Sequence, residues 1–284
     1  MTAAIARAQG VRRRRRPMPA TIVVALAVVV LAVLTGVFGP LLAPQHPDAQ
    51  NLLLGAVPPD QQHWLGTDQL GRDVFSRLIV ATGSALLGPA VVAVVTMVLG
   101  SGLGLIAGTF GGRVDAVISR VADLIWSLPG LLVAIVVIGV IQGGMALTIL
   151  VVAFISIPHA IRQTRSATLT QVGLPYVEAA RTIGLRRGTI MWRHLLPNVR
   201  ATVLTTALLD FVTALLVFAA LAFLRIGVEP GVANWGTMLA DGQTLIFINP
   251  LLITAPALAI IAIAAAVTVI GDWAHEAANE EVRR

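Results

Sequence analysis

Lysine is absent from this 284-residue chain, because all 20 of its basic residues are arginine. A P-loop nucleotide site needs the lysine of G-x-x-x-x-G-K-S/T to reach the β- and γ-phosphates of ATP. We therefore expect that the chain does not bind or hydrolyse ATP by that route, and we expect no cofactor in it. The sequence also has no recognisable nucleophile and base pair of the kind that enzymes use. A function other than catalysis is predicted.

Cysteine is absent as well, which excludes disulfides and thiolate metal sites. The five histidines are dispersed along the chain, and no two of them have the spacing of metal ligands. The sequence therefore predicts no metal site.

Charged residues are scarce, at 12% of the chain against 57% hydrophobic residues. So little polar surface cannot cover a soluble globule of this length, and an all-α integral membrane protein is predicted. Six apolar stretches are long enough to cross a hydrocarbon layer of ~30 Å. They are Ala20–Phe38, Leu86–Phe110, Leu124–Ile141, Met145–Ile161, Val203–Leu224 and Leu251–Ile270. Gln142, Gly143 and Gly144 separate the third from the fourth and predict a tight hairpin.

The arginines predict the orientation in the membrane. If the N-terminus is cytoplasmic, 17 of them lie inside, and only Arg72, Arg77 and Arg225 lie outside. The positive-inside rule then places both termini in the cytoplasm. This divides the chain into an N-terminal tail (1–19), a transmembrane region (20–270) with a cytoplasmic polar loop (about 162–202), and a C-terminal tail (271–284).

The run Arg12–Arg16 directly precedes the first apolar stretch. In that position it is typical of a topology determinant, and we do not expect a nucleic-acid site from it or from the high pI. The stretch that follows is longer than the apolar region of a signal peptide, so an uncleaved first span is favoured.

The polar loop has the chemistry of two short helices joined by a bend. Pro175 suits a first helical turn, and Glu178 then falls near the positive end of the helix dipole. Gly184 would weaken a continuous helix or let another backbone come close. An apolar face at helical spacing resumes at Ile190, and we expect Pro197 to close the second helix.

Within this loop, Glu178-Ala179-Ala180 is followed after three residues by Gly184, and after nine more by His194 and Leu196-Pro197. The pattern resembles the cytoplasmic loop of permease subunits of ATP-binding-cassette (ABC) importers. His194 departs from it, because that position is usually aliphatic. The stretch 193–198 instead resembles the dipeptide, oligopeptide and nickel branch of the family, as do the stretches Leu65–Val74 and Asn234–Gly242. The resemblance covers about Leu65 to Asp272.

The resemblance implies a permease subunit in a bacterial cell membrane that pairs with a homologous second permease. Two ABC ATPase subunits on the cytoplasmic face would carry ATP and Mg²⁺, and an extracytoplasmic substrate-binding protein would deliver the solute. The seven residues implied in coupling to the ATPases are Glu178, Ala179, Ala180, Gly184, His194, Leu196 and Pro197. A peptide or a similar small solute is implied, since these motifs do not separate peptide permeases from nickel, sugar or glutathione permeases.

Two features of the apolar stretches, a glycine repeat and an intramembrane acid, allow further predictions. Gly100, Gly104 and Gly108 repeat every four residues within an apolar stretch, which predicts close packing of helices and not a phosphate loop. Asp210 lies inside the fifth apolar stretch, where a charge is costly. It is either a residue of the solute pathway or a hydrogen-bonded structural carboxylate, and the sequence leaves both open.

The segments 39–84 and 225–250 are predicted to be external, the first being irregular and ending in a short helix before the second span. By analogy with the resembled family we favour docking of a receptor on these segments over a purely structural role in capping the bundle, and four residues are candidates for facing that receptor. The four are Asp68, Arg72, Asp73 and Trp235.

A secondary transporter or channel that works alone is the alternative. It should show inverted repeats, broken spans or paired intramembrane charges. We find no repeat, and Asp210 is the one intramembrane charge that we identify, so the importer subunit is favoured.

Overall fold

The computed structural model describes residues 18–141, 143–229 and 231–282. The helices in this part of the chain are α1 (Ala20–Leu42), α2 (Val74–Val95), α3 (Ser101–Phe110), α4 (Gly112–Trp126), α5 (Gly130–Ile141), α6 (Gly144–Val172), α7 (Pro175–Thr182), α8 (Arg187–Ile190), α9 (Leu196–Phe223), α10 (Trp235–Gly242) and α11 (Leu251–Val282). Two π-helical segments, Thr96–Gly100 and Met191–Leu195, join α2 to α3 and α8 to α9.

Five continuous helical stretches are long and apolar enough to cross a membrane. They are Ala20–Leu42, Val74–Phe110, Gly144–Val172, Arg187–Phe223 and Leu251–Ala277. A sixth is obtained if α4 and α5, which meet at an angle of 72°, count as one bent span. These helices confirm the predicted all-α membrane architecture of about six spans. The arginine run 12–16 and Gln142 of the predicted hairpin lie outside the described residues.

The predicted spans have different bounds in the structure, among them the second and the third. The second helix begins at Val74 and runs on without a separate short helix, because the Asp73 carboxylate caps it by accepting the N–H of Ser76 at 2.8 Å. The predicted third span, 124–141, is broken instead of straight. A proline disfavours helical geometry in the residue before it, and Pro129 follows the end of α4 at Trp126.

Pro197 does not close a helix, which corrects the expectation of two short helices. The chain is helical from Arg187 to Phe223. Proline has no N–H to donate, but the turn before it is already π-helical, with the N–H of Leu196 donating to the carbonyl of Met191 five residues back. The wider turn lets the helix pass the proline. Likewise α6 continues to Val172, so the non-helical parts of the polar loop are short.

The glycines of α3 and of the turn before it allow close packing against α6, as predicted. A Cβ added at Gly104 would lie 2.6 Å from the carbonyl oxygen of Ile161, and one added at Gly108 would lie 2.7 Å from Cβ of Thr168. The opposite side of the helix is open at Gly102, where an added Cβ meets no described atom within 4 Å. The glycine ridge therefore fixes the α3–α6 interface inside this chain.

Candidate functional site

Helix α7 begins at Pro175, as predicted, with Glu178 in its first turn. It ends in a Schellman turn: the N–H of Leu185 donates to the carbonyl of Ala180 at 3.1 Å, and the N–H of Gly184 donates to that of Arg181 at 2.9 Å. Gly184 has φ +82°, the left-handed region that favours glycine. A Cβ at Gly184 would meet no described atom within 4 Å, so its role within this chain is to make the bend and not to admit another backbone.

One side of α7 is buried in a hydrophobic cluster that joins it to four other elements. Val177 and Ala180 are the buried residues of α7. They belong to a cluster with residues of α3, α8, the second π segment and α9, namely Leu105, Ile190, Met191, Leu195 and Val199. Burial of apolar surface on this scale is the main force that holds a short helix in place.

Polar contacts attach the same loop to the membrane helices at three points. The Tyr176 hydroxyl donates to Gln171 Oε1 of α6 at 3.0 Å, and it accepts from Asn198 Nδ2 of α9 at 3.4 Å. Arg187 Nη1 donates to the carbonyl of Phe110, the last residue of α3, at 3.1 Å. Burial raises the pKa of Tyr176. The loop is therefore bonded to α3, α6 and α9 together.

The other side of the loop is exposed and mixes apolar with positively charged side chains. Ile183 is 76% exposed and Trp192 is 61% exposed. Around them lie exposed residues of the predicted coupling set and four exposed arginines, namely Glu178, Ala179, Gly184, Pro197, Arg181, Arg186, Arg187 and Arg193. Ala180, in contrast, is buried, and His194 and Leu196 are half-buried. Large exposed apolar side chains within a charged surface are typical of a protein–protein contact.

A second site lies among the membrane helices, at Asp210. This carboxylate is 3% exposed, and its Oδ1 lies 2.7 Å from Nδ1 of His159 on α6. Asp210 Oδ2 is buried and has no hydrogen-bond partner among the described residues. Our identification of Asp210 as the one intramembrane charge was therefore incomplete. His159 lies inside the predicted fourth span, and an ionisable residue in a span was the signal that could have found it.

The His159–Asp210 pair lines a cavity of about 390 Å³ at the bend between α4 and α5. Trp126, Leu131, Ser156 and Thr213 are among its other lining residues. The cavity has polar groups on the α6 and α9 side and mainly apolar walls elsewhere.

Two ion pairs join α4 to α6, and the first of them contacts Trp126, which lines this cavity. Arg162 Nη2 is 2.7 Å from Asp123 Oδ1, and its guanidinium lies 4.5 Å from the centre of the Trp126 ring. Arg165 bonds both oxygens of Asp115, with Nη2 to Oδ2 at 2.6 Å. Each arginine of α6 is thus matched by a carboxylate of α4.

The four candidates for facing a receptor lie at the other end of the α2–α3 helix and are all buried. Asp68, Arg72, Asp73 and Trp235 are between 3% and 7% exposed. Asp68 Oδ2 accepts from Arg72 Nε at 2.7 Å, and Trp235 Nε1 donates to the carbonyl of Leu78 at 3.1 Å. These side chains cannot touch a docking protein directly while they are buried. They hold the segment between α1 and α2 onto α2 and α10 instead.

Arg225 closes α9 in an unusual way at this end. It has φ +59° in a second Schellman turn, in which the N–H of Ile226 donates to the carbonyl of Leu221 at 2.9 Å. A non-glycine residue there is strained, and its guanidinium lies 2.7 Å from Asp241 of α10. The ion pair holds the Arg225 side chain against α10.

The described residues form a bundle of membrane-length helices with an exposed polar loop at one end. Residues 100–284 match the family described as binding-protein-dependent transport system inner membrane component. The chain belongs to this family.

Individual relatives agree over most of the chain. It is 35% identical to the glutathione transport system permease protein GsiD of Pectobacterium atrosepticum, over 79% of this chain and 75% of that one. It is 31% identical to the oligopeptide transport system permease protein OppC of Bacillus subtilis, over 92% of this chain and 86% of that one. It is also 33% identical to the di/tripeptide transport system permease protein DppC of Pseudomonas aeruginosa, over 91% of this chain and 87% of that one.

A solved structure shares the fold at low sequence identity. A chain of the MetNI methionine ABC transporter, in an inward-facing conformation, superposes with a TM-score of 0.59 and 18% identity. The match covers 71% of this chain and 96% of that one. The chain described here is thus a multi-pass permease of the ABC importer class.

Proposed function

We propose that this permease forms half of the path for a peptide or a similar small solute, with a homologous permease as the other half. The three relatives named above are permeases for glutathione, oligopeptides and di- or tripeptides, and this supports the solute class. Two ATPase subunits bind ATP and Mg²⁺, and the lysine-free chain itself carries out no hydrolysis.

The exposed side of the polar loop is the proposed contact with the ATPases. The observation that carries this proposal is the exposure of Ile183 and Trp192 beside arginines, on a loop whose other side is locked to α3, α6 and α9. A push on the exposed side is transmitted because the buried side cannot slip. In this assignment the coupling residues are Glu178, Ala179, Ala180, Gly184, His194, Leu196 and Pro197.

The opposite end of the bundle is the proposed contact with a substrate-binding protein. The buried ion pairs there fix a scaffold, and the exposed apolar side chains of the segment between α1 and α2 are available for contact. Leu53 is 101% exposed and Trp64 is 61% exposed. Asp68, Arg72, Asp73 and Trp235 then act by positioning this surface.

Both assignments require cytoplasmic termini, which labelling can test. In this cysteine-free chain, Gln61→Cys and Thr182→Cys introduce single thiols at exposed positions at the two ends of the bundle. In oriented membranes, an impermeant maleimide should label Gln61→Cys only from outside and Thr182→Cys only from the cytoplasm. The reverse pattern would invert the whole assignment.

Reconstitution tests the function itself. Proteoliposomes with this chain, a second permease, the ATPases and a substrate-binding protein should take up dipeptide only with ATP, and collapse of the proton and sodium gradients should leave uptake intact. The chain alone should be inert when an ion gradient is imposed. Uphill uptake by the chain alone would contradict the subunit assignment and favour a self-contained transporter.

A further inference from the structure

Asp210 carries an unused acceptor next to a cavity. Its Oδ1 is bound to His159, whereas its Oδ2 is buried without a partner among the described residues. A buried carboxylate oxygen without a donor is costly, and in native proteins such an atom is commonly completed by a ligand or a water molecule. The side chain is 97% buried but is among the residues that line the cavity between α4, α5, α6 and α9, so a rotation of the carboxylate would present Oδ2 to a donor there.

The charges around the cavity are unbalanced in favour of a cation. The Arg162–Asp123 and Arg165–Asp115 pairs each cancel. The group that remains is the Asp210 carboxylate, whose hydrogen-bond partner among the described residues is His159. Where the imidazole is neutral and donates to Oδ1, the site carries one net negative charge. A single negative charge between low-dielectric walls attracts cations strongly.

The shape and walls of the cavity fit an ammonium group with a small apolar body. A volume of about 390 Å³ accommodates a group much larger than one water molecule. Trp126 lines it, and the ring of this tryptophan already attracts one cation, the guanidinium of Arg162. Aliphatic side chains such as Leu131 supply the rest of the wall.

We propose that this cavity is a binding site for an ammonium group of the transported solute, with Asp210 Oδ2 as its hydrogen-bond acceptor. The inference rests on the proposed function and deepens it, because it names the part of the solute that the permease recognises. His159 is a positioning residue: its bond to Oδ1 leaves Oδ2 as the unused acceptor of the carboxylate.

Charge-selective labelling tests the proposal in a chain without native thiols. Thr213 lies one turn after Asp210 and lines the cavity. Thr170 on α6 is the matched control, since both threonines are exposed and both hydroxyls donate to the carbonyl four residues earlier. Each is changed to Cys in the full-length chain in lipid vesicles. Labelling rates are then compared for a trimethylammonium and a sulfonate methanethiosulfonate of similar size.

The ratio of cationic to anionic labelling at Thr213→Cys should exceed that at Thr170→Cys by at least roughly tenfold. Asp210→Asn, which keeps the shape of the side chain, should abolish the excess at 213 and leave the ratio at 170 unchanged. His159→Asn, whose amide can still donate to Oδ1, should keep most of the excess. Equal ratios at 213 and 170 in the chain with Asp210 intact would overturn the proposal.

Competition links the site to the solute without any change at Asp210. Glycylglycine should slow cationic labelling of Thr213→Cys, whereas N-acetylglycylglycine, which has no ammonium group, should not. Equal effects of the two dipeptides would also overturn the proposal. These measurements need only this chain, so their failure would leave ATP-driven uptake by the assembled transporter as a separate test of the proposed function.

Discussion

Arg187 reaches from the polar loop to the last residue of α3, where its Nη1 lies 3.1 Å from the carbonyl oxygen of Phe110. A cation at a helix C-terminus interacts favourably with the free carbonyls and the helix dipole. The bond therefore joins the proposed ATPase contact to the helix whose glycine ridge packs on α6.

Arg187→Ala should weaken the coupling of ATP hydrolysis to uptake. The lost contact is worth about 0.3–1 kcal/mol, which is small against total stability, so expression should be retained. We expect less dipeptide taken up per ATP hydrolysed in the reconstituted transporter. Arg186→Ala is the control, because Arg186 is an exposed neighbour on the same loop. Equal coupling ratios in the two variants would show that the Phe110 contact is dispensable.

Gly184→Val should impair transport and stimulated ATPase activity together. A side chain at φ +82° costs about 1–2 kcal/mol in the turn that ends α7, and a β-branched one fits least well. Gly188→Ala, at a glycine whose added Cβ meets no described atom within 4 Å and whose φ is not positive, should be nearly neutral. Normal uptake by Gly184→Val at normal protein levels would refute the coupling role of this turn.

Gly104→Ala should lower the melting temperature of the purified chain, whereas Gly102→Ala should not. The new methyl group at Gly104 would press on the Ile161 carbonyl from 2.6 Å, and overpacking of this kind costs about 1–3 kcal/mol. The two glycines share one helix, but the side of Gly102 is open, and alanine there should stabilise the helix by about 0.5–1 kcal/mol. Similar thermal shifts in both variants would contradict the packing described for α3 and α6.

Tyr176 is the single tyrosine of the chain, so its ionisation can be followed by ultraviolet absorbance. Because burial raises its pKa above the ordinary value of 10.0, the folded protein should titrate at higher pH than the denatured chain. The corresponding stability is fully present below pH 10 and is lost as the pH rises through the folded pKa. Coincident titration curves for the folded and denatured protein would mean that the α7 attachment is not formed.

The features that could be predicted from the sequence depend on local chemistry. Pro175 and Glu178 gave the start of α7, and the four-residue spacing of Gly100, Gly104 and Gly108 gave a packing ridge. Such signals are carried by neighbours in the chain, and tertiary contacts seldom reverse them.

The features that could not be predicted depend on contacts between distant segments. The bond between His159 and Asp210 forms because α6 packs on α9, and no spacing rule relates positions 51 residues apart. The burial of Asp68, Arg72, Asp73 and Trp235 likewise depends on how the external segment folds against α2 and α10. The helix continues past Pro197 because of a π-helical turn, and no pattern in the sequence predicts that turn.

The polar loop and the cavity share that continuous helix. Residues Arg187–Phe223 form a single helix of 37 residues, and at 1.5 Å per residue Asp210 lies ~35 Å along it from Arg187. A tilt imposed at the loop would displace the Asp210 carboxylate relative to α6, because the helix is continuous through the π-helical turn and Pro197. The distance between His159 and Asp210 would then change with the tilt of the helix. The same conformational change that opens the path would therefore also change the affinity of the site for the cation.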